Sequence, residues 1–282
     1  MSDLPIKLKA RIDAIIAKGS ASLAKDNSEK VLETLPDVDV KSHSTLPIIS
    51  EHKRAVPNAI LRSSLFGVVG KGHRKYERNV LKATVQGLTV KFTGEQLDQA
   101  DLDVYLECVR RCAKKSLGEL VRFTAYDFLK SIGRKTGKFE YEWLKVCLTR
   151  LFVCGIELGD GRLFYDGHLI NEKYRDEKTG EFVIALNPKI AKFFSGDVWT
   201  GLLLTERTIL KGKPLAQWLH GFYSSHSKPF SYKVETIKEL CGSDVSALKT
   251  FKQKLKKSLA DLTVATGWEC WIDENDLVNV KK

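Results

Sequence analysis

The feature that most constrains this chain is an order of predicted elements that occurs twice along its 282 residues. Gly133 follows Phe123 by ten residues, and Gly242 follows Tyr232 by the same ten. A large apolar residue lies five positions into each span, at Phe128 and Ile237. Each closing glycine is placed to end a helix, and a few polar residues then lead into the next one. The chain therefore repeats one local architecture.

Both copies extend in the same way. A helix precedes each span, and a second helix and a two-stranded hairpin follow it, the first hairpin expected between 162–170 and 177–186. Helix, short strand, helix, turn, helix, hairpin is the order of a winged helix. We therefore predict a mainly α fold with small β wings (α+β), built as two tandem winged-helix domains after an N-terminal helix and an irregular basic segment. Two unrelated helical hairpins that look alike are the alternative.

Domain boundaries follow from periodicity and from helix breakers. Apolar residues recur at helical spacing over 4–34, whereas prolines and the glycine-rich GVVGKG mark residues 36–82 as irregular. Residues 83–94 predict a short hairpin or strand. The predicted regions are an N-terminal helical or flexible region (1–52), a basic linker (53–82), winged-helix domain 1 (83–200) and winged-helix domain 2 (201–282).

Basic charge is concentrated in two parts of the chain. The formal net charge is +11, and residues 41–82 hold nine Lys or Arg against two Asp or Glu. Residues 201–282 hold thirteen against nine. Clustered basic charge indicates a polyanionic partner. The segment 53–78 is predicted either to lie along phosphates or to grip a single strand, or else to be a solvated linker.

The stretch SALKTFKQKLKKSLADL (246–262) predicts the second helix of the later copy. Leu248, Phe251, Leu255, Leu259 and Leu262 form its predicted inward stripe. In a winged helix this element enters the major groove. We expect its cations to neutralise phosphates and its polar residues to read base edges. The candidate DNA-binding residues are Ser246, Lys249, Lys252, Gln253, Lys256 and Lys257. A solvated amphipathic helix is the alternative.

The equivalent region of the first copy, GRKTGKFEYEWLK, differs in chemistry. Its turn carries cations suited to phosphates, and its helix carries mixed polar residues, including Glu142, which is suited either to a cytosine amino group or to a helix cap. The polar hairpin tip EKYRDEKTGE would be the wing. The candidate DNA-binding residues here are Arg134, Lys135, Lys138, Tyr141, Lys145, Lys173 and Arg175, with Lys178 also in the wing.

The sequence contains no motif of a catalytic site, a nucleotide-binding loop or a metal site. The six histidines form no HExxH or HxH pair, GxSxG is absent, and GVVGKGHRK lacks the GxxxxGK[ST] of a phosphate loop. The six cysteines form no CxxC pair. We predict a cytoplasmic protein with reduced thiols that is not an enzyme, has no cofactor or metal and no membrane span.

Four stretches of the chain resemble one known family. They are RSSLFGVVGKGHRKY, KFTGEQLDQADLDVYLECV, NPKIAKFFSGD and FYSSHSKPFSYKVETIKELCGSD. They are similar to the TrfA family of plasmid replication initiators, over about 53–282. The resemblance implies tandem winged helices that bind direct repeats (iterons) in double-stranded origin DNA. It also implies melting of an AT-rich element and capture of single-stranded DNA.

The resemblance further implies several protein partners: the host initiator, the replicative helicase and the sliding clamp, with a homodimer as the inactive form. Some members carry a clamp-binding motif, Gln-Leu-x-Leu-Phe, where this chain has STLPIIS, so direct clamp binding through that motif is left open. The alternative function is a winged-helix transcriptional repressor of plasmid genes without replisome contacts. A nicking relaxase is disfavoured because paired metal-binding histidines are absent.

Overall fold

The computed structural model describes residues 46–282, apart from 71, 73, 86, 160–163 and 195–197, and these residues belong to one compact unit. The predicted helix over 4–34 lies outside the described residues. The helices are α1 (Asn58–Leu61), α2 (Gln99–Cys112), α3 (Ala125–Ser131), α4 (Lys138–Val153), α5 (Leu204–Ile209), α6 (Pro214–Ser224), α7 (Val234–Leu240) and α8 (Leu248–Thr266), with a 3-10 helix over Pro188–Phe194.

Fourteen strands lie in the described part of the chain. Before α4 these are β1 (Lys53–Pro57), β2 (Phe66–Gly67), β3 (Tyr76–Leu81), β4 (Thr89–Glu95), β5 (Leu97–Asp98) and β6 (Val121–Thr124). After α4 these are β7 (Gly155–Gly159), β8 (Phe164–Gly167), β9 (Glu172–Arg175), β10 (Glu181–Ala185), β11 (Trp199–Leu203), β12 (Tyr232–Lys233), β13 (Glu269–Ile272) and β14 (Leu277–Lys281).

The repeat predicted from the sequence is present as a repeated topology. In the first copy, β6 leads into α3 and α4, and the hairpin β9–β10 returns so that β10 pairs antiparallel with β6. In the second copy, β12 leads into α7 and α8, and the hairpin β13–β14 returns so that β14 pairs antiparallel with β12. The strand orders β6-β10-β9 and β12-β14-β13 are therefore equivalent.

The two closing glycines end their helices in the same way. Gly133 and Gly242 both have a φ of 65°, a left-handed conformation that glycine adopts without strain. After α3, Gly133 N–H donates to the Lys130 carbonyl, and the next amide reaches back to Leu129. After α7, Gly242 N–H donates to the Glu239 carbonyl in the same pattern. The predicted helix ends are confirmed.

The first copy contains an insertion that the sequence did not reveal. The chain leaves α4 into β7 and β8, which join β3 and β4 in a four-stranded antiparallel sheet of order β3-β4-β7-β8. The predicted pairing of 162–170 with 177–186 is therefore wrong, because β8 pairs with β7 and the hairpin partner of β10 is β9. Of the two alternatives predicted for 83–94, the strand is present as β4, and the hairpin is wrong because β4 pairs with β3 instead.

Residues 53–82 are not an irregular linker. β1 pairs along its full length with β11, and Ala55 and Val56 are buried. The prolines misled the prediction, because Pro57 lies in β1, an edge strand of a two-stranded sheet, where proline is tolerated. The segment then adds Leu65 and Phe66 to the core. It belongs to the same compact unit as both copies.

Two apolar clusters support the two copies. One combines residues of β1, α2, α3, α4 and the first hairpin, and the other combines α6, α7, α8 and the second hairpin. Buried charges lie between these elements: Glu107 of α2 accepts hydrogen bonds from Arg110 and Arg111, and Asp101 accepts one from Arg150 at 2.8 Å. Arg207 of α5 pairs with Asp103 of α2 and so ties the second copy to the first.

Candidate nucleic-acid interface

The inward face of α8 follows the predicted apolar stripe except at its first residue. Phe251, Leu255, Leu259 and Leu262 are buried, as predicted. Leu248 is 41% exposed, which corrects the sequence interpretation. It is the first residue of the helix, and in its place Val245 of the preceding turn packs against the core.

The outward face of α8 is a surface of lysines without acidic partners. Lys249, Lys254, Lys256 and Lys257 are exposed, and in the described part of the chain no carboxylate lies within ion-pair distance of them. The one acidic residue of α8, Asp261, is four residues beyond Lys257 and pairs with Lys213 at 2.7 Å. Like charges this close on a helix destabilise it. An external anion would relieve that repulsion.

The two polar residues proposed to read bases also face outward. Gln253 is exposed between the lysines, and Ser246 is exposed in the turn that precedes α8. A glutamine on such a face can present both an acceptor and donors to a base edge. The geometry is compatible with the predicted role, which stays a prediction.

Lys252 differs from its neighbours because it is already paired. Its ammonium group forms an ion pair with Asp276, between β13 and β14. That hairpin tip is acidic, since it also carries Asp273 and Glu274. A hydrogen bond from the Leu277 backbone N–H lowers the pKa of Asp273 and keeps it ionised. The acidic tip of the second hairpin therefore disfavours phosphate contact at the tip itself and leaves the lysines of α8 as the positive surface of this copy.

In the first copy, the helix and the hairpin bring opposite charges together. Lys145 donates a hydrogen bond to Glu142 at 2.6 Å, one turn along α4. This bond lowers the pKa of Glu142, and the charges of Arg175 in β9 and Lys138 lower it further. Arg175 also pairs with Glu177. The predicted residues do meet here, but carboxylates offset much of their charge.

The turn before α4 holds a second partly neutralised group. Arg134 pairs with Glu140 at 2.7 Å, and its guanidinium lies 3.6 Å from the centre of the Trp143 ring. Lys135 is exposed, with no ion pair in the described part of the chain. Tyr141 is half-buried and packs against the apolar core, so α4 does not present it outward as the sequence suggested.

Lys173 fixes the position of the first hairpin beside α4. Its Nζ donates to Thr149 Oγ1 at 2.6 Å and lies above the Phe152 ring. Burial lowers the pKa of Lys173, and the charge of Arg175 adds to this effect. Strand β9 therefore runs along one flank of α4, where its cations border the outward face of the helix.

Sequence reasoning missed an apolar ridge on the outward face of α4. Phe139 is 79% exposed, Val146 50% and Val153 57%. The three residues are seven apart, so they lie on one line of the helix, opposite the buried Leu144 and Leu148. The seven-residue spacing is visible in the sequence, but spacing alone does not show that this face of the helix stays exposed.

The basic segment 53–78 uses several of its arginines internally. Arg54 pairs with the buried Glu107 at 3.1 Å, and Arg74 pairs with Asp101 at 2.8 Å. Arg62 Nε donates to Ser225 Oγ at 3.0 Å. These guanidinium groups stabilise the fold, so the predicted phosphate contact of this segment depends on its other cations.

Two negative findings apply to the described residues. They contain no group of three or more His, Cys, Asp or Glu side chains placed to hold a metal ion. Within the same part of the chain, no helix is both long and apolar enough to cross a membrane.

Two solved structures have a fold similar to that of this chain. A crystal structure of domains 2 and 3 of RctB is similar with a TM-score of 0.54, covering 80% of this chain and 96% of that one at 10% identity. A second structure of these RctB domains gives 0.52, covering 76% and 93% at 10% identity. At such low identity the likeness shows the fold alone, a mixed α/β fold similar to that of RctB domains 2 and 3.

The family is shown by sequence. The model of the family described as TrfA protein matches residues 21–282, and the chain belongs to this family of plasmid replication initiators. The plasmid replication initiator protein TrfA of Escherichia coli is 27% identical over 244 residues, which are 81% of this chain. The match covers 62% of that relative, so the chain spans about three fifths of its length. The resemblance seen in the sequence is confirmed.

Proposed function

We propose that this chain is an initiator that binds direct repeats (iterons) at a plasmid origin as two tandem winged helices. In this proposal α4 and α8 are the recognition helices, and β9–β10 and β13–β14 are the wings. The proposal is supported by membership of the TrfA family and by the equivalent strand orders of the two copies. The fold has the element order that places a helix in a major groove.

The observation that carries the proposal is the outward face of α8. Four exposed lysines without carboxylate partners in the described part of the chain occupy the helix that follows the turn. Phosphate neutralisation by such lysines releases counterions from DNA, which supplies affinity that falls steeply with salt. A solvated helix, the alternative, would predict no change in DNA affinity when these lysines are replaced.

The two copies would contribute differently to binding. The α8 surface supplies most of the positive charge, whereas carboxylates offset that of α4 and β9. We infer that the second copy dominates affinity for the phosphate backbone and that the first copy contributes more through shape and base contacts.

Further steps are proposed on the family alone. Bound initiators would help open AT-rich DNA, hold one single strand, and recruit the host initiator and the replicative helicase. A homodimer would be the form that does not initiate. The sliding clamp is left out of this proposal, because the standard clamp motif is absent from residues 44–50.

The test begins with binding and proceeds to replication. The full chain is used to select duplexes from a randomised library, and the selected sequences are footprinted on DNA of the replicon that encodes the chain. We expect enrichment of one short sequence that recurs as direct repeats on that DNA. Enrichment of no sequence over random duplex would overturn the proposal.

A replication assay separates an initiator from a transcriptional repressor with the same domains. A plasmid that carries the footprinted region and no other origin is introduced into cells with and without the chain. We expect replication only when the chain is present. Repeat binding without replication would favour the repressor.

A further inference from the structure

The apolar ridge of α4 is a surface that the fold does not require. The helix is anchored by Leu144, Leu148 and Leu151, which are fully buried. Phe139 and Val146 lie opposite these leucines, and neither belongs to the residues that pack against the core. Side chains this apolar at this exposure are a cost in water unless a partner covers them.

Several cations lie beside the ridge, where they could contact the phosphates that line a DNA groove. Lys135 and Lys138 lie at the N-terminal end of α4, and Lys138 is close enough to Glu142 to lower the pKa of that carboxyl. On one flank, Lys173 of β9 donates to Thr149 Oγ1. The ridge therefore has cations at one end and along one flank, where they outnumber the exposed carboxylate of Glu142, and this net positive charge favours a polyanion that carries apolar groups at the bottom of a groove.

Duplex DNA has such groups in its major groove. The 5-methyl group of thymine is the apolar feature there, and apolar side chains contact it in direct readout. A protein partner would favour a wider apolar patch than one line of side chains, since a standard protein interface buries about 800 Å² on each partner. The spacing of Phe139 and Val146, two helical turns, lets both reach into one groove.

We propose that α4 recognises thymine methyl groups, with Phe139 and Val146 as the specificity-determining contacts. The inference rests on the proposed function, since it requires that α4 enters a major groove. It assigns the first copy a preference for thymine-containing steps at its part of the site. The lysines at its borders position the helix and carry no sequence information.

Replacing thymine by uracil removes only the methyl group and keeps base pairing. The best duplex selected by the full chain is synthesised with thymine and again with uracil at every thymine position. Burying one methyl group corresponds to about a fourfold change in affinity, and two contacts to about fifteenfold. We expect the wild type to bind the uracil duplex about fifteenfold more weakly.

Variants then localise the effect. Phe139→Ala and Val146→Ala should each reduce the ratio between the two duplexes by about fourfold. Val198→Ala removes a valine that is 50% exposed and lies outside α4, α8 and both hairpins, and should leave the ratio unchanged. Since all three side chains are exposed, circular dichroism should show the same thermal unfolding as the wild type.

Four other outcomes would each contradict a different part of the proposal. Equal binding of both duplexes by the wild type would overturn methyl recognition, while the selection itself would still support the proposed function. A wild-type ratio that persists in both ridge variants would place methyl contacts elsewhere and overturn the assignment. Loss of a dimer in the ridge variants, seen by sedimentation with the ratio unchanged, would assign the ridge to a second copy. Failure to select any duplex would overturn the proposed function first.

Discussion

Neutralising the outward lysines of α8 should change how DNA binding depends on salt. The variant Lys249→Gln, Lys256→Gln, Lys257→Gln removes three charges that have no acidic partner in the described part of the chain. Each phosphate contact contributes about −0.9 to the slope of log K against log salt, so the loss of three reduces the slope by about 2.7. Between about 50 and 200 mM salt, the wild type would then lose about 40-fold more affinity than the variant.

The assay is fluorescence anisotropy of the selected duplex over a series of salt concentrations. A matched control, Lys115→Gln, Lys189→Gln, Lys228→Gln, removes the same total charge from exposed positions outside α4, α8 and both hairpins, which also have no ion pair in the described part of the chain. The control should keep the wild-type slope to within about one unit. Equal slopes for the two triple variants would refute the reasoning, because net charge rather than the α8 surface would then set the affinity.

Three other perturbations test separate parts of the structure. Asp276→Asn frees Lys252 from its ion pair, and because asparagine also adopts the φ of 59° found there, we expect tighter DNA binding with a slope steeper by about 0.9. For Glu107, burial alone would raise the pKa, but hydrogen bonds and charge from Arg110 lower it below its ordinary value. The stability that ionised Glu107 contributes should be present above about pH 4.3 and lost as pH falls through its folded-state pKa. The free energy of unfolding of Glu107→Gln, measured in urea, should therefore depend less steeply on pH in that range than that of the wild type. Burial raises the pKa of three thiols to about 12, namely those of Cys112, Cys154 and Cys241. In the native protein these three thiols should react slowly with iodoacetamide below about pH 12. Mass spectrometry should show their modification after unfolding.

The sequence predicted the repeated topology because its signals are local. Gly133 and Gly242 each end a helix at a fixed distance from a strand, and the left-handed backbone conformation there favours glycine. The buried stripe of α8 also followed from helical periodicity, since three of its predicted members lie one turn apart in a continuous core.

Pairings between distant strands could not be predicted in the same way. β1 pairs with β11, about 150 residues later in the chain, and short strands carry too little pattern to identify a partner. Ion pairs were hidden for the same reason. The pairing of Lys252 with Asp276 depends on where the second hairpin turns, and that of Arg74 with Asp101 on the packing of a segment predicted to be irregular.

The sequence predicted the positive charge of the candidate interface, but it did not predict the apolar ridge of α4. The lysines of α8 form a run in the sequence, whereas the exposure of Phe139 and Val146 has no signal there. Tyr141 is a predicted DNA-binding residue, but in the structure it is half-buried and packs against the core. Exposure depends on tertiary packing, which the sequence of one helix does not contain.

Site-directed photo-crosslinking tests most directly whether α4 and α8 both face a duplex. A photoreactive residue replaces Glu142 on α4 or Gln253 on α8 in the full chain, with Lys189 as an exposed control position. Both helix positions should crosslink to bases within the selected duplex, and the control should not. Crosslinking from neither helix, while the protein remains bound to the duplex, would contradict the account.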